Sequence, residues 1–198
     1  MIGVLTGDII NSRKVPPQRW LPVLKKTLSF HGKHPSAWEI FRGDSFQIQT
    51  DAEQALLVAL HLKAAIKEIR ELDVRIGIGT GAVDFRGKKI SESNGPAFVR
   101  SGECFEGLKK QNLAVKTGTI LDQPLNLMLA LALLTMDGWT ATVASAVRVS
   151  LENPHRNQKE IADLLGKSQS SVSEALTRGG FEEVSLMQDY YQKEIAKI

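Results

Sequence analysis

Two carboxylates are the first residues in this 198-residue chain that could do chemistry. Asp8 closes the apolar run Ile2-Gly3-Val4-Leu5-Thr6-Gly7, and Asp44 stands between two stretches of alternating apolar and polar residues, 38–42 and 45–50. Alternation of that kind predicts a β-hairpin, with Gly43-Asp44 as its turn. A strand ending in Asp beside a hairpin tipped with Asp can hold a divalent cation and the phosphates it carries. Asn11, Ser12 and Arg13 follow the first strand and are placed to touch such phosphates. Gly-Asp is also an ordinary turn pair, so the reading rests on the two acids together.

A second polar set lies near the C-terminus. Lys167, Ser168, Gln169, Ser170, Ser171, Ser173, Thr177 and Arg178 are donors and acceptors suited to phosphates and base edges in a DNA groove. The surrounding stretch, 157–178, resembles a helix-turn-helix. Ala162 is small where two helices would cross, Gly166 permits the turn, and Ser168 would cap the second helix. Ile161, Leu165, Val172 and Leu176 would form the shared core.

The elements that must position these groups are read from periodicity. Residues 1–120 predict the order β-α-β-β-α-β-α-β, an α+β sandwich with helices on one side of a mainly antiparallel sheet. The strands are expected at about 2–6, 38–50 (the hairpin), 73–83 and 113–118. Helices are expected to about Phe30, over 52–72 with Asp51 as N-cap, and over 94–110. Gly77 and Gly79 leave one side of a strand bare for close approach of a backbone or a ligand. Residues 121–198 predict an all-α domain. Its first helix, 125–136, is almost wholly apolar and must be buried or packed on a partner. A helix over 139–151 and the two helices of 157–178 follow. A closing helix, 181–195, would pack back or make a dimer seam. His31 and His34 fall in a Gly/Pro loop and read as solvated, and Cys104 reads as a small core residue.

Four pieces, in order, resemble the palm-type domain of class III nucleotidyl cyclases. They are Gly7-Asp8-Ile9, Arg42-Gly43-Asp44-Ser45-Phe46, Val74 to Gly81, and Asn94-Gly95-Pro96-Ala97-Phe98. The resemblance implies a ferredoxin-like sandwich and Mg²⁺ on Asp8 and Asp44. The positions matching the cyclase helix Asn and Arg are Val99 and Glu103, and Ile40 stands where a base-reading Lys is expected. A cyclase-like domain that binds a nucleotide or phosphate ligand without cyclising it is therefore implied. The whole chain also resembles the SatD family of bacterial proteins, described as regulators.

Composition narrows the setting. One cysteine gives no internal disulfide, no leader pattern opens the chain, and no apolar run is long enough for a membrane span, so a cytoplasmic protein without membrane contact is expected. The net charge of +3 is uneven: residues 1–120 carry 18 Lys and Arg against 12 Asp and Glu, while 151–198 carry six against eight. An acidic DNA reader would draw its phosphate contacts from Lys159, Lys167 and Arg178 in a homodimer, or from the basic first part. The expected function is a DNA-binding transcriptional regulator with a degenerate cyclase-like domain. The alternative is a metal-dependent enzyme on a nucleotide or polynucleotide, targeted by the helix-turn-helix. A scaffold with neither activity is the third reading.

Overall fold

The computed structural model describes residues 1–198. In chain order the elements are β1 (Ile2–Ile10), α1 (Pro17–His31), β2 (Trp38–Phe41), β3 (Ser45–Asp51), α2 (Ala55–Lys67), β4 (Asp73–Gly81), α3 (Pro96–Gly107) and β5 (Leu113–Lys116). Five helices complete the chain: α4 (Asp122–Met136), α5 (Ala141–Glu152), α6 (Gln158–Leu165), α7 (Gln169–Arg178) and α8 (Phe181–Ile195). The class is α+β, with one mixed sheet of five strands in the order β2-β3-β1-β4-β5. All neighbours are antiparallel except β4 and β5.

Side-chain period decides the two faces of the sheet. On one face Leu5, Ile9, Phe46, Ile48, Ile76 and Ile78 meet α1 and α2 in the core. On the other, α3 lies against the glycines of β4. A Cβ on Gly77 would come within 2.4 Å of the Phe105 nitrogen, and one on Gly79 within 2.2 Å of the Ser101 nitrogen. Helices therefore cover both faces, not one, and the bare strand side admits a helix backbone rather than a ligand.

Three boundaries differ from expectation. β1 continues to Ile10, so Asp8 stands inside the strand, paired laterally with Ser45 and Arg75. The strand stops at Asn11, whose φ of 62° is left-handed. The hairpin turn has three residues, with Arg42 (φ 52°) and Gly43 (φ 90°) both left-handed before Asp44. The second helix begins with a 3₁₀ turn at Ala52–Gln54, where Asp51 makes no side-chain cap, and ends at Lys67.

The apolar core crosses residue 120 without a break. A cluster of 44 buried residues runs from the sheet through α2 to Met136, Val147 and Tyr191, so α2 is buried between the sheet and α5. Buried Lys63 bonds Asp73 at 2.9 and 3.0 Å and reaches Asp137 at 2.7 Å, and the Tyr191 hydroxyl donates to the Ala52 carbonyl at 3.0 Å. No helix is long and apolar enough to cross a membrane.

Candidate functional site

The cross-strand register brings the two carboxylates to one end of the sheet. Asp8 pairs with Ser45, the residue that follows Asp44. The other neighbour of Asp8 is Arg75 on β4, whose guanidinium grips the carboxylate at 2.7 and 3.3 Å. That guanidinium also sits over the Phe105 ring, 4.6 Å from its centre, in a cation–π contact. Asp8 thus already has a full counter-charge. Asp44 accepts a short hydrogen bond from the Ser12 hydroxyl. No third Asp, Glu, His or Cys gathers with the pair.

Ser12 belongs to a 3₁₀ turn, Ser12–Lys14, that leaves β1 directly after Asn11. This turn and the hairpin tip face each other across a cleft of about 640 Å³, lined by Ser12, Arg13, Lys14, Trp20, Arg42 and Asp44. Three exposed cations and one carboxylate give it a net positive field, suited to an anion. Arg13 and Ser12 are among its lining residues. Asn11 is not: its side-chain amide donates to the Glu71 carbonyl at 3.0 Å, on the wall of a different cavity beside Asp137 and Trp139. Lys14 and Arg42 join the cleft without having been singled out. Lys14 is simply the next residue after Arg13, while only the three-residue turn carries Arg42 into the cleft. Of the three positions that depart from the cyclase pattern, Val99 is solvent-exposed, Glu103 is paired with Lys116 at 2.8 Å, and Ile40 is half-buried on β2.

The second candidate surface is built by α6 and α7. Asn157 caps α6 by accepting from the Lys159 and Glu160 amides, and the Glu160 carboxylate returns to the Asn157 amide. Gly166 ends α6 in the left-handed conformation, φ 61°. Ser168 caps α7 by accepting from the Ser171 amide at 3.2 Å. Ile161, Ala162, Val172 and Leu176 are buried, and Leu165 packs against them. Lys167, Ser168, Gln169 and Ser170 stand exposed at the start of α7, with Ser171 and Ser173 half-buried beside them. Thr177 and Arg178 lie apart from that group. Thr177 folds its hydroxyl back to the Ser173 carbonyl, Arg178 reaches Glu174 at 3.7 Å, and both line an apolar groove between α4 and α8.

One polar cluster escaped the sequence reading. His31 is the last residue of α1, not part of a loop, and its Nε2 lies 2.7 Å from His61 Nδ1. His61 Nε2 in turn meets Glu152 at 2.9 Å, and Arg148 binds Glu152 and Glu68. Burial, then the His61 ring, pushes His31 down to about 4, and burial lowers His61 as well. Both rings are neutral at pH 7, with His31 donating to His61 and His61 donating to Glu152. This chain ties α1 and α2 to α5.

A scan against protein-family models and a search of curated proteins each found no match to this chain.

Proposed function

We propose that the protein is a DNA-binding transcriptional regulator whose sheet-bearing part binds a nucleotide or other phosphate ligand. The observation that carries this reading is the α6–α7 pair. Both helices are capped by side chains, the turn between them is glycine-set, and a short-side-chain polar face is left open at the start of α7. A helix-turn-helix with α7 in the major groove needs those features. The strand order β2-β3-β1-β4, with α1 and α2 as crossovers, supports a palm-like, ferredoxin-type arrangement for the first part.

Ligand phosphates would be met by Arg13, Lys14 and Arg42, with the Ser12 hydroxyl nearby. The acid pair fits a resident Mg²⁺ poorly, because Arg75 neutralises Asp8 and only Asp44 is free of a counter-ion. Mg²⁺ enters this reading as a companion of the ligand, held by Asp44 and supplying charge neutralisation to the phosphates. The same ion pair weighs against the metal-dependent enzyme.

The test is competition of genomic DNA fragments against random DNA at two salt concentrations. Lys167→Ala should weaken binding to all sequences and lower the salt slope by about one. Gln169→Ala should change sequence preference, at about 1–3 kcal/mol at the affected position. Equal, salt-insensitive binding by wild type and Lys167→Ala would leave α7 as a packing element and remove the DNA reading.

A further inference from the structure

Helix α4 is apolar on two faces. Leu125, Leu129, Leu133 and Met136 are buried inward. Outward, Leu127, Leu131 and Leu134 are 62, 61 and 81 % exposed, and Ile120, just before the helix, is 92 % exposed. Within the helix, exposed Pro124, Leu127, Leu131 and Leu134 follow one another at spacings of three, four and three. That is the a/d seam of a helix that packs on another helix. Leu186 and Tyr190 on α8 extend the patch at 64 and 41 % exposure, and the groove between the helices holds about 730 Å³.

We propose that this seam is the interface of a homodimer, with α4 of one copy packed on α4 of the other and flanked by α8. Three features select a second copy as the occupant. First, the six large side chains present roughly 100–150 Å² each, in all on the order of 600–800 Å². That is above the largest patch of an ordinary monomer and close to the area each partner gives a stable interface. Second, the seam is self-complementary: a two-fold axis sets the same aliphatic ladder against itself, and no charge on it meets its like. Third, α4 carries no Lys or Arg from Asp122 to Met136, so it offers nothing to an anionic membrane surface or an acidic partner. Thr177 and Arg178 line the same groove. The dimer therefore draws the C-terminal ends of both α7 helices toward the axis and leaves Lys167 to Ser171 facing outward. The interface is independent of the DNA reading.

Sedimentation velocity of the full chain, from about 1 to 100 µM, tests it. The wild type should run at twice the chain mass at low micromolar concentration. Leu131→Glu and Leu134→Glu should each weaken self-association by at least ~100-fold, since a charge is buried unpaired in the pair. Both residues are exposed in the single chain, so the thermal melt of the variants should hold, and Leu127→Gln gives a milder version of the same change. Val99→Glu, another exposed apolar residue but on α3, should leave the dimer intact. A wild type that stays monomeric at about 100 µM overturns the proposal, as does a dimer indifferent to the α4 substitutions. A dimer broken by these changes supports it whether or not the protein binds DNA.

Discussion

The two polar regions of this protein differ in what their side chains already hold. At the sheet end the acids and Lys63 have partners on other elements, while Arg13, Lys14 and Arg42 stand exposed in the cleft: Asp8 has Arg75, Asp44 has Ser12, and Lys63 has Asp73 and Asp137. At the start of α7 the polar groups bond only within the helix, as Ser168 does with Ser170, or stand free. Interactions of the first kind hold the fold, and a ligand must compete with them. Interactions of the second kind are given up at little cost, because an exposed donor exchanges a water for a phosphate or a base edge. The difference supports the proposal that α7 meets another molecule, and it makes the Asp8 end one part scaffold.

The largest break in that comparison should come from Lys63→Ala. It leaves Asp73 and Asp137 facing each other with Lys67 as their remaining cation, and should cost about 3 kcal/mol in urea unfolding. Lys167→Ala, on the exposed side, should stay within about 0.5 kcal/mol in the same measurement. Similar losses for the two variants would erase the distinction.

Next in size is the pH dependence of stability. His31 is held at about 4, below its ordinary 6.5. Between those values the unfolded chain takes up a proton that the folded chain refuses. Stability should therefore be complete above pH 6.5 and fall as pH drops toward 4. The shift corresponds to about 3 kcal/mol at full burial, and to about half that because the ring is partly open to solvent. His61, lowered in the same direction, adds to the loss. His31→Gln should flatten the profile between pH 6.5 and 4. A wild-type profile that is level over this range would mean the pair is protonated in the folded state.

The smallest effect sharpens the reading of the acid pair. Arg75→Ala removes the counter-charge of Asp8 and should tighten binding of Mg²⁺ alone by about tenfold in calorimetry. Unchanged Mg²⁺ binding would separate Asp8 from any cation site. Neither protein should form a cyclic nucleotide from ATP or GTP, since Val99 and Glu103 offer no donors to the phosphates.

What the amino-acid sequence determined by itself is what forms within about one turn of helix or one hairpin. The element order, the cap at Ser168, the glycine turn at Gly166 and the buried stripe of Ile161, Val172 and Leu176 all follow from neighbours a few residues apart. Asp44 at the hairpin tip and the Ser12-Arg13 turn after β1 were legible for the same reason. The tertiary structure decided the rest. Asp8 meets a guanidinium 67 residues away, Asn11 turns to a carbonyl 60 residues away, and the His31–His61–Glu152 chain spans three helices. The placement of α3 on the opposite sheet face follows from glycines that read equally well as ligand space. An apolar helix such as α4 shows by its composition that it must be covered. Which of its faces the chain itself covers depends on where α8 and β5 dock, and no local pattern encodes that, because burial is set by the packing of distant elements.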